Sequence, residues 1–238
     1  MAIPTLPHQT TDLFLTDGGT ETWLMYKRGF ELEEFAAFHL LHDAKAKAAL
    51  HEYYRAFAEI AVQHGAGFIF DSLTYRASRD WGRLLGYDES RLAEMNHACF
   101  ELYRDVARAA GLHASKTVIS GCIGPKGDAY KLDQALTAEG AEAYHSEQIA
   151  TFKAGGAHIV TALTLNTTAE AIGIARAAQS ADLPSVISFT LEKNRCLRSG
   201  ESLQEAIETV DALTGAAPAY SMSYCAHPGD CGPGVTRG

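Results

Sequence analysis

The sequence lacks several features that would place the protein outside the cytoplasm. It contains no apolar run as long as a membrane-spanning helix, and its first residues carry neither the cationic nor the apolar part of a secretory signal. The 20 Lys and Arg residues are outnumbered by 29 Asp and Glu residues and form no cluster, which argues against nucleic acid and anionic membranes as partners. The five cysteines are scattered and odd in number, so they predict no disulfide framework. These absences together predict a protein of the reducing cytoplasm.

Nucleotide-binding fingerprints are also missing, since no Gly-x-Gly-x-x-Gly follows the first apolar run and no P-loop is found. What the chain does contain is an alternation of short apolar runs with longer stretches of helical spacing. Strands are predicted at residues 13–17, 67–71, 117–121, 157–163, 184–189 and 218–224, and helices at about 43–64, 88–110, 138–154, 167–180 and 201–213. Such an alternation leaves two architectures, a doubly wound open sheet or a (β/α) barrel.

Polar side chains at the ends of the predicted strands favour the barrel. They are Asp17, Asp71, Cys122, Thr164, Glu192 and Cys225. In a (β/α) barrel all those ends meet at the face that carries the active site. We therefore predict an α/β fold of the (β/α)8 TIM-barrel type with about six βα units present, strands 7 and 8 being absent. This incomplete barrel domain would cover residues 1–228, followed by a flexible Gly/Pro-rich tail at 229–238.

The segment Asp17-Gly18-Gly19-Thr20 follows the first predicted strand. Glycines let the backbone approach a ligand closely, and a carboxylate beside them is suited to an ammonium group. The alternative interpretation is a tight strand-to-helix turn with a capping aspartate, and the local sequence favours neither.

Two other strand ends carry cysteines, with different interpretations. Cys122 is predicted to be a small packing residue, because no His/Asp pair that would activate it can be inferred. Cys225 is a candidate soft metal ligand, but zinc needs at least three protein ligands. His227 is predicted to be a loop residue, and Cys231 falls in the predicted tail.

With these segments in view, the chain resembles the homocysteine S-methyltransferase family. The resemblance runs from about Leu13 to Pro228. It rests on the ordered segments Asp17-Gly-Gly-Thr-Glu, Ala66-Gly-Phe-Ile-Phe-Asp-Ser-Leu-Thr-Tyr-Arg-Ala, Ser120-Gly-Cys-Ile-Gly-Pro-Lys-Gly, Val186-Ile-Ser-Phe-Thr, Gly200-Glu-Ser-Leu and Tyr224-Cys-Ala-His-Pro. The resemblance implies a (β/α)8 barrel that uses zinc to deliver the thiol of homocysteine as a thiolate to a cationic methyl donor, forming methionine.

The resemblance also implies the site residues. Asp17 would bind the ammonium group of the acceptor, and the other substrate-binding candidates are Gly18, Gly19, Thr20, Gly124 and Thr164. Cys225 matches one of the family's three zinc-binding cysteines. The Gly-Gly-Cys-Cys-Gly segment that supplies the other two is absent, and Leu163 stands where many relatives carry a glutamate that contacts the amino group.

These departures leave alternative hypotheses open. One is a truncated or frameshifted family member that lacks a complete zinc site and is catalytically impaired or inactive. Another is a metal-free lyase or aldolase on the same barrel, which is weakened because no lysine stands at a strand end to form a Schiff base.

Overall fold

The computed structural model describes residues 4–131 and 136–225. The chain divides into two compact units, the first comprising residues 1–122 and 151–159 and the second residues 123–150 and 160–238. The predicted tail at 229–238 lies outside the described residues.

In the first unit, parallel strands follow one another in the sheet in chain order. They are β1 (Phe14–Thr16), β2 (Gly67–Asp71) and β3 (Thr117–Ile123), and the helices are α1 (Thr20–Arg28), α2 (Ala44–Gln63), α3 (Arg79–Leu84) and α4 (Glu89–Ala110). The register pairs Phe14 with Gly67 and Phe68 with Thr117. The strands agree with the predicted positions to within two residues. The sequence pattern predicts neither α1 nor α3, because these short helices carry too few turns to show a clear apolar period.

Aromatic side chains from β2, α2 and α4 form the core of this unit. The ring centroids of Tyr54 and Tyr103 lie 4.7 Å apart, and those of Phe70 and Tyr103 lie 5.2 Å apart. On the other side of β3, Gly121 lets helix α5 (Ala138–Ala154) approach, since a Cβ at Gly121 would lie 2.2 Å from a ring carbon of Phe152. The first unit thus packs aromatic helices onto a short parallel sheet.

The second unit repeats the pattern. Its strands are β4 (Ile159–Leu165), β5 (Ser185–Phe189) and β6 (Pro218–Ser223), again parallel and in chain order, with helices α6 (Thr168–Ser180) and α7 (Leu203–Thr214). Helix α7 begins with a capping box in which Ser202 and Glu205 satisfy each other's backbone amides. Helix α6 is buried on nearly all sides, so it lacks the polar face of a surface helix.

The consecutive strand order is that of a (β/α) barrel and not of a doubly wound sheet, in which the order reverses at a switch point. The predicted fold class, with six strands in βα alternation, is confirmed. A strand as continuously apolar as 218–224 is expected to be buried on both faces of a parallel sheet, and for β6 this expectation is wrong. Every residue of β6 is half-buried, since among the described residues this strand pairs with β5 alone and is an edge strand.

Candidate active site

Asp17 lies directly after β1, in the turn that leads into α1. The Thr20 hydroxyl donates to Oδ2 of Asp17 over 2.6 Å, and the backbone N–H of Gly18 donates to the Tyr53 hydroxyl over 3.2 Å. Gly18 and Gly19 are exposed, whereas Thr20 is buried. The four predicted residues at 17–20 therefore come together in one turn, with the glycines open to a ligand and Thr20 underneath.

The electrostatic environment of this turn disfavours negative charge. Burial, followed by the neighbouring carboxyl groups of Asp71 and Glu21, raises the pKa of Asp17 to about 7, although the Thr20 hydrogen bond opposes this. Burial also raises the pKa of Glu21. A positive ligand beside these three carboxyl groups would lower the cost of ionising them.

A second set of hydroxyl groups lies where β2 and β3 end. Ser72 and Thr74 are hydrogen-bonded to each other, Thr74 donates to the carbonyl oxygen of Cys122 over 2.8 Å, and the N–H of Cys122 donates to Ser72 over 2.9 Å. Cys122 itself is 3% exposed, and burial holds the pKa of its thiol well above the ordinary value. A protonated, enclosed thiol agrees with its interpretation as a packing residue.

In the second unit, Cys225 follows β6 and lines a cavity of about 540 Å³. The other lining residues come from the ends of β5 and from the segment after β3: Ala129, Tyr130, Thr190, Leu191, Glu192, Lys193, Asn194 and Arg198. Glu192 and Arg198 form an ion pair beside the cavity. The pKa of Tyr130 is raised by partial burial and by the neighbouring Cys225. Cys225 is exposed and has a φ of 55°, so its thiol lies at an accessible and conformationally special position.

The remaining predicted residues also belong to the second unit. Gly124 is buried at the end of β3. Thr164 is 4% exposed, with a φ of 55° at an irregularity in the β4–β5 ladder. The structure therefore places Asp17, Gly18, Gly19 and Thr20 together in one unit, and Gly124, Thr164 and Cys225 in the other.

Sequence reasoning missed the buried residues that hold the segment after β3. Oε1 of Glu170 accepts from the N–H of Lys126 over 2.7 Å and lies 2.9 Å from Nε2 of His145. Both side chains of this pair are nearly inaccessible. Farther along, the Asn166 amide donates to the carbonyl oxygens of Ala129 and Lys131 over 3.0 and 3.1 Å. The only sequence signal is Thr167-x-x-Glu170, which indicates a helix start but not that the glutamate points inward.

Within residues 4–131 and 136–225, no three His, Cys, Asp or Glu side chains are grouped so as to hold a metal ion. His227 and Cys231 lie outside the described residues. In the same ranges no helix is long and apolar enough to cross a membrane.

Comparison with known proteins decides the family. The model of the family described as homocysteine S-methyltransferase matches residues 14–237. The chain belongs to this family. No curated protein sequence is similar enough to match.

Solved structures support the fold. The homocysteine methyltransferase MmuM from Escherichia coli, in its metallated form, is 20% identical to this chain with a TM-score of 0.73, and the alignment covers 93% of this chain and 77% of the MmuM chain. The oxidized form of the same enzyme is 22% identical with a TM-score of 0.70, and the alignment covers 90% of this chain and 74% of the MmuM chain. At this level of identity the likeness establishes the fold of the chain, and the barrel class predicted from its sequence is thereby confirmed a second time.

Proposed function

We propose that the protein transfers a methyl group from a sulfonium or another cationic donor to the thiol of homocysteine, giving methionine. Membership of the homocysteine S-methyltransferase family supports the reaction class. The observation that carries the proposal to particular residues is the environment of Asp17, a buried carboxyl group under the influence of two others and next to two exposed glycines.

The acceptor's ammonium group would bind to Asp17. The side chain has one oxygen engaged by Thr20, and the adjacent Gly18 and Gly19 have no Cβ to keep the ligand away from the backbone. Because Asp71 and Glu21 raise the pKa of Asp17, their negative potential also attracts a cation. The affinity of the site for an ammonium ion therefore depends on the ionisation of Asp17.

The methyl-transfer step is a displacement at carbon. The acceptor sulfur attacks the methyl group in line with the bond to the donor's heteroatom. As the new S–C bond forms, the old bond breaks and its electron pair stays with the donor, which loses its positive charge. The thiol proton leaves to solvent. The chain contributes orientation of the acceptor, which raises the rate by placing the reacting atoms in near-attack geometry.

Zinc is implied by the family, and E. coli MmuM is known in a metallated form. A protein zinc site takes three or four ligands, whereas Cys225 is the one candidate ligand within the described residues, where no group of three is found. The described residues do not fit a zinc ion by themselves. The proposed role of Cys225 as a zinc ligand therefore depends on further donors, and no step above is routed through the metal.

The acceptor site is tested by comparing homocysteine with 4-mercaptobutanoate, which lacks the amino group. We expect the wild-type protein to prefer homocysteine and Asp17→Asn to lose about 10- to 100-fold of that preference, as for a charge-assisted hydrogen bond. Since the ammonium needs ionised Asp17, affinity for homocysteine should rise with pH up to about 7 and then level off. Equal use of both thiols by the wild-type protein would contradict the assignment of Asp17.

Activity and zinc content are measured on the same preparation. Turnover of homocysteine with S-methylmethionine, S-adenosylmethionine or a betaine would establish the reaction and its donor. Homocysteine binding without turnover would instead favour the impaired-enzyme hypothesis. Stoichiometric zinc that is lost in Cys225→Ser would show that Cys225 is a ligand, and zinc retained by that variant would remove this role.

A further inference from the structure

A chain of buried hydroxyl groups leads from the core of the first unit to Asp17. The Tyr103 hydroxyl lies 3.1 Å from that of Tyr54, the Tyr54 hydroxyl lies 3.0 Å from that of Thr20, and Thr20 donates to Asp17 Oδ2 over 2.6 Å. The three hydroxyl-bearing residues are buried, with exposures of 0%, 1% and 3% for Tyr103, Tyr54 and Thr20. They come from three different helices, α4, α2 and α1.

Counting protons fixes the direction of this chain. An ionised carboxylate only accepts, so the single proton of Thr20 points to Asp17. Tyr54 must then donate to Thr20. The single proton of Tyr103 has two acceptors, the Tyr54 hydroxyl 3.1 Å away and the carbonyl oxygen of Asp71 3.2 Å away. The O–H dipoles of Thr20 and Tyr54 therefore point toward Asp17 when it is ionised, and Tyr103 extends the chain when it donates to Tyr54. Aligned hydrogen bonds polarise and strengthen one another.

We propose that Tyr103, Tyr54 and Thr20 are positioning residues that favour the ionised form of Asp17 and hold it in one orientation, so that its Oδ1 is presented to the ammonium group of the acceptor. Thr20 therefore acts from beneath the site and not by touching the ligand. The identity of the cation rests on the proposed function, whereas the hydroxyl relay and its effect on Asp17 do not.

The charges around Asp17 show why such support is needed. Burial is the largest influence on Asp17 and opposes its ionisation, and the carboxyl groups of Asp71 on β2 and Glu21 on α1 act in the same direction. The other titratable groups that interact electrostatically with Asp17 are Tyr53 and Tyr54 on α2, Tyr103 on α4 and Cys122 on β3. Thr20 supplies the strongest opposing effect. The hydroxyl of Thr20 accepts a hydrogen bond from Tyr54 while it donates to Asp17. Removing the hydroxyl of Thr20 or of Tyr54 therefore weakens the stabilisation of ionised Asp17.

The first test needs no ligand. The titration midpoint of Asp17 is followed by carbon-13 NMR of the aspartate carboxyl groups, with Asp17→Asn used to assign the signal. Thr20→Val keeps the side-chain shape and removes the donor, and we expect it to raise the midpoint by about 1 pH unit or more. Thr20→Ser should restore the wild-type value, and Tyr54→Phe should shift it in the same direction as Thr20→Val but less.

An unchanged midpoint in both Thr20→Val and Tyr54→Phe would overturn the proposal, as would a Thr20→Ser variant that behaves like Thr20→Val. If Thr20→Val fails to fold, Tyr54→Phe and Thr20→Ser alone decide, since the relay predicts a shift in the first and none in the second. A merely structural role would lower the melting temperature without moving this midpoint.

The second test uses catalysis. In Thr20→Val we expect KM for homocysteine at pH 7 to rise about tenfold or more while kcat changes less, and KM for 4-mercaptobutanoate to stay within about twofold. An equal rise for both acceptors would contradict the role in ammonium binding. If neither thiol is a substrate while the NMR midpoints still shift as expected, the proposed function fails and the relay stands.

Discussion

His158 provides the sharpest prediction for stability. This residue precedes β4, and its Nδ1 accepts from the backbone N–H of Ile119 in β3 over 2.9 Å. Arg104 lies nearby, since its guanidinium donates to the carbonyl oxygens of Gly155 and Gly156. Protonating Nδ1 would place two donors face to face and a positive charge near Arg104. Burial, and then Arg104, accordingly lower the pKa of His158 to about 4 from an ordinary 6.5.

The sign and size of the effect follow from this difference. A histidine whose folded pKa is below its unfolded pKa binds fewer protons in the native state, so it stabilises the fold above pH 6.5 and this contribution is lost as the pH falls toward 4. A separation of this size corresponds to about 3 kcal/mol. Because the ring is only half-buried, solvent screening reduces the expected loss to about 1–2 kcal/mol.

The measurement compares the wild-type protein with His158→Asn by urea denaturation between pH 7.5 and 4. Asparagine places an oxygen about where Nδ1 lies, so it keeps the acceptor for Ile119 but does not titrate. The wild-type free energy of unfolding should fall by about 1–2 kcal/mol more than that of the variant over this range. Parallel curves for the two proteins would refute the reasoning, because carboxylates that titrate in both would then account for all of the acid sensitivity.

Three further substitutions test packing in the second unit. Gly173→Ala should lower the free energy of unfolding by about 1–3 kcal/mol despite the better helix propensity of alanine. The reason is that the new Cβ would lie 2.5 Å from the carbonyl oxygen of Ala138. An unchanged melting temperature would show that α5 and α6 move apart freely. Glu170→Gln should cost about 1–3 kcal/mol in urea denaturation through its weakened contacts with Lys126 and His145, whereas the exposed Glu208→Gln control should stay within about 0.5 kcal/mol. Asn166→Asp replaces a donor facing backbone carbonyls with an acceptor and should speed amide hydrogen exchange at residues 128–131, while exchange rates equal to wild type would mean that other contacts order this segment.

The strands could be predicted from the sequence because their apolar runs end at glycines and polar residues. The run 67–71 coincides with β2, and β4 is displaced by two residues from the predicted 157–163. Ala157 and His158 extend the apolar run in the sequence, but the strand begins after them, where the side chain of His158 accepts from the N–H of Ile119. The exposure of β6 could not be predicted, because its apolar composition does not reveal how many partners a strand has.

The site could be predicted only where its residues are neighbours in the chain. Asp17, Gly18 and Gly19 carry a local pattern, and the structure keeps them in one turn. Tyr54 and Tyr103 lie far along the chain from Thr20, on helices whose spacing indicates only a buried face. In sequence they look like two more core aromatics, so their hydroxyl partners emerge only from the packing of three helices.

The surroundings of Asp17 make ionisation of this carboxyl group costly, and this environment fits the ammonium-binding role proposed above. An aspartate in a simple capping role is ionised and needs no buried relay, as Asp43 shows, whose carboxylate caps α2 and whose pKa is lowered by the backbone amides of Ala46 and Lys45. Asp17 is held under opposite conditions, since burial and two carboxyl groups oppose its ionisation and a chain of buried hydroxyl groups that ends in Thr20 favours it. A carboxyl group with a pKa of about 7 is stabilised strongly in its ionised form by a positive ligand, because the ligand supplies the positive charge that its surroundings lack. The tight-turn interpretation accounts for the glycines but not for this balance, whereas an ammonium-binding role accounts for both.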